Sequence, residues 1–317
     1  MKKISRKGCL QSGVMTAVMA SILSPASADA EILISENLSL SGFVDMSAGS
    51  TDSDDPDVGT SEFYGLDQFE LDFMYEYDPS LSARVDINWL GDGVDLEQAF
   101  FTYSMGNGFS VTAGRFLSAV GWEAAEPVDM YQYSYATSVK YPGYHNGIGL
   151  SYDTEMFGLY GSLIDDIWAE DTVGDADELG YELQLTLTPV EGFTSKIQYS
   201  SMDKGSYDKE LFNVWASYEL GSLLLAAEFD SYDGWDGPDV DGNGWLVMGN
   251  YGLTDNLGLT LRYSENDGDD YDASDFTISP GYVFTDNIAG LIEYKHTDYD
   301  EGGFDEDSVA VEVLFTF

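Results

Sequence analysis

The side chains able to do chemistry in this chain are mostly carboxylates, and many stand two residues apart. Glu70, Asp72, Asp86, Glu182, Glu219, Glu228 and Glu293 occupy polar positions whose neighbours are apolar. Arg84, Lys196, Arg262 and Lys295 sit among them at the same kind of position. A spacing of two puts such groups on one face of an extended strand and the apolar residues on the other. A face of mixed charge can pair internally, hold cations or steer ions over a wet surface. The mixture reads as compensating charges on one polar wall.

Catalysis has little to draw on. The two histidines, His145 and His296, stand beside Asn146 and Thr297. Sequence neighbours on a strand point to opposite faces, so no nucleophile–base pair is formed. No zinc motif or phosphate-cradling glycine loop occurs. "DVDGNGWLVMGN" (239–250) gives one weak metal candidate. Asp239, Asp241 and Asn243 fall at positions one, three and five of a calcium loop, but Asn250 stands where a bidentate Glu belongs. The expectation is no cofactor and no enzymatic activity.

The whole chain has 58 Asp+Glu against 12 Lys+Arg, a formal net charge of −46. Four bases (Lys2, Lys3, Arg6 and Lys7) lie in the first thirty residues, followed by an apolar stretch and "SPASADA". This is the pattern of a secretory signal peptide, assigned to 1–30. The remainder, 31–317, carries 57 acids against 8 bases, net −49, and contains no cysteine, since Cys9 falls in the signal. So little base excludes nucleic acid as a partner. Apolar residues at 44% and aromatics at 14% exclude a disordered chain.

The elements that must position the charged groups are strands. "FELDFMYEY" (69–77), "LSARVDINW" (81–89) and "LGYELQLTLT" (179–188) alternate strictly. Such segments predict sixteen strands near 37–48, 66–77, 81–90, 96–105, 109–116, 145–152, 156–164, 178–188, 193–201, 210–220, 223–231, 245–252, 256–264, 275–284, 288–297 and 308–317. Tight turns such as "DPS", "GNG" and "TDN" alternate with longer acidic segments at 50–65, 165–178, 231–244, 264–275 and 296–307. That is an antiparallel up-and-down meander with unlike ends. Sixteen strands enclose a lumen too wide for side chains to fill. Ten residues at about 3.3 Å, tilted by roughly 40°, rise about 25 Å, the height of a bilayer's apolar band. The expected fold is therefore one all-β transmembrane barrel domain over 31–317, with apolar rows toward lipid and charged rows around the lumen. Aromatics near strand ends, among them Tyr77, Trp89, Tyr218 and Tyr282, suit lipid–water interfaces. "SVAVEVLFTF" (308–317) ends on Phe317, and in lipid that strand must pair with the first, near "LSLSGFVDMSAG".

Several motifs carry a resemblance. They are Gly114-Arg115-Phe116, Gly121 with Glu123, "YSYA" at 133–136, "HNGIGLSY" at 145–152 and the hairpins "NYGLTDNLGLTLRYS" and "SPGYVFTDNIAGLIEYKH". The chain resembles the beta-barrel porin-2 (OmpL-like) family of Gram-negative outer membranes. The resemblance implies an outer-membrane pore for ions and small hydrophilic solutes, surrounded by lipid. It also implies short periplasmic turns and long extracellular loops. Phe317 matches the terminal aromatic read by the barrel-assembly machinery, and general porins often form trimers. A non-conducting barrel with an adhesive or structural role is the alternative, since it would share every strand.

The segment 117–143 is the third and longest loop of the meander. In sixteen-stranded general porins that loop folds into the barrel. By analogy, Glu123, Glu126 and Asp129 would place carboxylates in a constriction, with Arg115 and Lys140 at the loop base and Arg84 on the wall. The acid excess predicts cation selectivity.

Overall fold

The structure is a computed structural model and describes residues 32–55, 57–91, 93–123, 126–138, 140, 143–167, 179–269, 271–300 and 303–317. The segment 1–30, expected as a signal peptide, lies outside the described residues. A two-residue strand, β1 (Ile32–Leu33), precedes β2 (Leu38–Ser53), β3 (Thr60–Asp78), β4 (Leu81–Trp89), β5 (Asp95–Gly106) and β6 (Phe109–Leu117). Then follow β7 (Tyr144–Asp153), β8 (Phe157–Ile164), β9 (Gly180–Leu187), β10 (Phe193–Asp203), β11 (Asp208–Leu220) and β12 (Leu223–Asp233). The chain ends with β13 (Gly242–Gly252), β14 (Leu257–Gly268), β15 (Ala273–Thr285), β16 (Ile288–Tyr299) and β17 (Phe304–Thr316). Each of β2–β17 pairs antiparallel with its sequence neighbours, and β17 pairs with β2 to close a sixteen-stranded barrel. At the seam Thr316 stands opposite Phe43, and Phe317 exchanges both backbone hydrogen bonds with Gly42, each 3.0 Å. No helix among the described residues is long and apolar enough to cross a membrane. Closure leaves no bare edge, which lipid would not tolerate.

The last strand decides which face is which. Val309, Val311, Val313 and Phe315 are 48, 44, 43 and 42% exposed on the outside, while Ala310, Glu312, Leu314 and Thr316 are buried. β12 repeats the pattern, with Leu225 and Phe229 outward and Leu224, Ala226, Glu228 and Asp230 inward. Apolar rows face out, and the charged residues of these strands face in together with some small and apolar ones.

All sixteen expected strands are present, but several run further than expected. β2 and β3 continue to Ser53 and from Thr60, leaving a six-residue connection. The segments expected as loops at 231–244, 264–275 and 296–307 shrink to 234–241, 269–272 and 300–303. Apolar alternation marks only the part of a strand that needs lipid. Beyond it the ladder still satisfies every backbone group, and the outward row turns polar. Tyr294 and His296 both meet Asp307 there, at 2.6 and 2.9 Å. β3, at 19 residues, runs roughly 60 Å, well beyond the apolar band. The weakest sequence pattern, over 145–164, is β7 and β8. It is weak because Gly149 takes a strand position where a Cβ would come within 2.6 Å of the Tyr160 ring.

Candidate functional site

Between β6 and β7 the chain turns inward. Apart from one 3-10 turn at Pro127–Asp129, the described part of this loop has no regular structure. Its backbone donors therefore need partners elsewhere, and the barrel wall supplies them. Trp122 N–H donates to Glu228 (3.0 Å), Tyr133 N–H to Glu293 (2.8 Å) and Thr137 N–H to Asp275 (2.8 Å). Gly121 N–H donates to Gln198 (3.3 Å) and the Ser118 hydroxyl to Glu182 (2.6 Å). Lys295 Nζ donates to the Tyr135 carbonyl at 3.0 Å. These wall groups belong to β9, β10, β12, β15 and β16, so the loop is tied along a wide arc of the lumen. The wall charges are thus loop anchors, a role that strand-by-strand charge compensation did not suggest.

The inner face is not uniformly polar, contrary to the sequence expectation. Trp122 packs edge-on against Trp215 at 5.3 Å. Tyr131, Ala136, Leu224, Ala226, Leu246 and Met248 complete one buried cluster. This patch gives the loop an apolar seat. Gly244 allows the final approach, since a Cβ there would lie 2.7 Å from the Ser138 carbonyl.

The expected constriction residues separate into two groups. Glu123 is buried and pairs with Arg262 at 2.5 Å, while accepting from Gln132 (2.6 Å) and the Ala136 N–H (2.9 Å). Arg262 also donates to the Ser134 carbonyl (2.7 Å) and lies 3.7 Å from Asp275, which is itself 3.6 Å from Lys295. Lys140 stands over the Tyr232 and Tyr271 rings at 4.4 and 4.8 Å. Arg115 donates to the Leu96 carbonyl at 3.2 Å and lies 5.7 Å from the Tyr144 ring centre. These three are structural ties. The others sit where the lumen is less covered. Asp129 is exposed on the loop. Arg84, its side chain 31% exposed, donates to Asp86 (2.8 Å) and Asp72 (3.4 Å). Glu126 accepts from Gln68 (3.3 Å) and the Tyr144 hydroxyl (3.2 Å).

Two β-bulges interrupt the inner face on this side of the lumen, and the second supplies Glu97 to an acid cluster. Register slips at Asp45/Met46 and at Asp86/Ile87, so Asp67 and Glu97 have no cross-strand partners there. A bulge breaks alternation and re-aims side chains. Gln98 Nε2 reaches Asp86, and Asn88 Nδ2 reaches Glu97. Carboxylate oxygens of Glu70, Asp72 and Asp86 come within 4.8 Å of one another, as do those of Glu70, Glu97 and Glu126. Sequence reading found Glu70, Asp72 and Asp86 but missed Glu97, because strict alternation cannot announce a bulge. It also missed Gln198 and Asp275 as anchors, since only the loop's path shows what they meet.

The remaining candidates are plainly placed. Lys196 is buried in the wall, 5.5 Å from the Trp215 ring centre, and Glu219 lies on β11 near the short-turn end. Asp239, Asp241 and Asn243 do not converge as a calcium loop. Asp241 accepts from the Gly234 N–H at 3.1 Å, and Asn243 already lies in β13, opposite Ser231 and Asp267. His145 is fully buried against Phe116 and 3.8 Å from Glu182, while His296 lies on the outer surface beyond the apolar band. A concavity of about 720 Å³ involving Leu150, Leu159, Leu183 and Phe212 opens on the apolar exterior.

A closed antiparallel barrel with apolar rows outside and charged groups inside defines the class of outer-membrane β-barrels with a porin fold. Solved structures agree. Salmonella typhi OmpF matches at a TM-score of 0.71 with 16% identity, covering 90% of this chain and 100% of that one. The outer membrane channel DcaP of Acinetobacter baumannii matches at 0.65, 16%, 88% and 97%. An anion-selective porin from Comamonas acidovorans matches at 0.63, 15%, 88% and 99%. No curated protein sequence matches the chain. The model of the beta-barrel porin-2, OmpL-like family matches residues 91–317, and the chain belongs to that family.

Proposed function

We propose that the chain forms a diffusion channel for ions and small hydrophilic solutes in the outer membrane of a Gram-negative bacterium, with cations favoured. One observation carries this reading: a closed barrel greasy outside and charged inside, in which the third loop is bound along the wall by specific anchors. A loop held to one arc narrows a passage and leaves the side with Arg84, Asp72, Glu126 and Asp129 to bound it. The constriction is therefore acidic with one guanidinium, and the mature balance of −49 adds a cation-attracting field. The short turns face the periplasm, the extended strand ends face outward, and Phe317 marks the closing strand for the assembly machinery. Association as a trimer is part of the same proposal, resting on analogy with general porins.

Reconstitution into planar bilayers tests it. Discrete conductance steps, with a reversal potential favouring potassium over chloride in a KCl gradient, support the reading. Silence from a correctly folded barrel would favour an adhesive or structural role instead.

A further inference from the structure

The acid cluster beside the constriction holds more carboxyl groups than its basic neighbours can pair. Arg84 pairs with Asp72 and Asp86, and so serves one half of it. The other half is Glu70 on β3, Glu97 on β5 and Glu126 on the loop, with oxygens within 4.8 Å of one another. Amide and hydroxyl groups donate to some of these oxygens: Gln68 to Glu70 (3.1 Å) and Glu126, Asn88 to Glu97, Tyr144 to Glu126. Two oxygens are left over. Glu70 is 1% exposed and its Oε1 has no hydrogen-bond partner, and neither does the buried Oε2 of Glu97. Asn88, which faces Glu70 across the β3–β4 ladder, likewise has an unpartnered Oδ1. Buried lone pairs on carboxylates are costly when nothing positive meets them.

A hard divalent cation answers that arrangement. Ligands on opposite sides of a Ca²⁺ ion lie up to about 4.8 Å apart, twice a metal–oxygen distance of about 2.4 Å. Mg²⁺ demands tighter octahedral geometry and keeps its water. We propose that Glu70, Glu97 and Glu126 form a calcium-type cation site that ties the third loop to the wall. The site rests on the channel reading only for its consequence, a narrower and less acidic passage when the ion is bound. Because Glu126 belongs to the loop, the ion fixes the loop on the side opposite its carboxylate anchors.

The test uses the full chain, folded in detergent and stripped with chelator. Tb³⁺ serves as the probe, excited through tyrosine, with Tyr144 adjoining the site, and Ca²⁺ as competitor. We expect one saturable component that Ca²⁺ displaces, weakened at least tenfold in Glu126→Gln and in Glu70→Gln. Glu155→Gln, on an exposed turn, should leave it unchanged. Glu126→Gln alters only a loop residue, so the barrel remains to be measured, and heat-modifiable migration confirms its fold. A saturable component unaffected by both variants, or only the diffuse binding of a very acidic surface, overturns the proposal. The luminescence reads binding whether or not the barrel conducts, so a silent bilayer would sink the channel reading and leave this result standing.

Discussion

Glu123→Ala tests the loop anchor most sharply. Glu123 and Arg262 are both buried and meet at 2.5 Å. Removing one partner of such a pair leaves an uncompensated charge, at about 3–5 kcal/mol. Arg262 retains the Thr277 hydroxyl at 3.1 Å and Asp275 at 3.7 Å, which places the cost at the lower end, about 3 kcal/mol. The Gln132 amide and the Ala136 N–H lose their acceptor as well. At 1.4 kcal/mol per decade, about 3 kcal/mol moves the docked–undocked balance of the loop by roughly a hundredfold. The barrel ladder does not depend on this pair, so its heat-modifiable migration should persist. Single-channel recording should show larger or flickering steps in Glu123→Ala, with Glu123→Gln between it and the parent. A folded Glu123→Ala barrel with the parent's step size and noise would refute the idea that this pair holds the loop in the lumen.

The other predictions concern charge, closure and pH. Arg84→Ala removes the one described base that is substantially exposed on the acidic side, so the potassium-to-chloride ratio should rise in reversal-potential measurements, whereas Asp129→Asn should lower it. Deleting Phe317 removes two backbone hydrogen bonds to Gly42 and a ring stacked on Phe69 at 6.5 Å, so the yield of folded barrel should fall, read from the heat-modifiable fraction. Burial first, then the Glu97 charge, push the Glu126 carboxyl up to about 8. In the ion-free, chelator-treated channel it is therefore mostly neutral at pH 7 and gains charge as the pH rises through that value. Cation preference should grow from about pH 7 to about pH 9, and Glu126→Gln should remove that increment.

The barrel was legible in the sequence because alternation against lipid is strict, as in "SVAVEVLFTF" and "FELDFMYEY". What was not legible has physical causes. Beyond the lipid the strands carry polar residues outward, so β2, β3, β13 and β17 continue where hydrophobicity falls silent. Bulges shift the pattern by one, which hid Glu97 from the acid cluster. The third loop announced itself by length and by Glu123, but its seat on Trp215, Leu224 and Leu246 requires knowing which strands face it. Lys140 and Arg115 looked like opposing charges and instead lie against tyrosine rings, because a loop base packed on the wall favours stacking over display.

The most direct measurement exploits residues 31–317, which contain no cysteine. Asp129→Cys is recorded in a planar bilayer before and after a water-soluble, charged thiol reagent, with Val311→Cys as the outward-facing counterpart. An abrupt fall in single-channel conductance is expected for Asp129→Cys, with no reaction at Val311→Cys, which lipid shields. Reaction at Val311→Cys with unchanged current through Asp129→Cys would contradict a barrel whose greasy rows face lipid and whose third loop lines a wet passage.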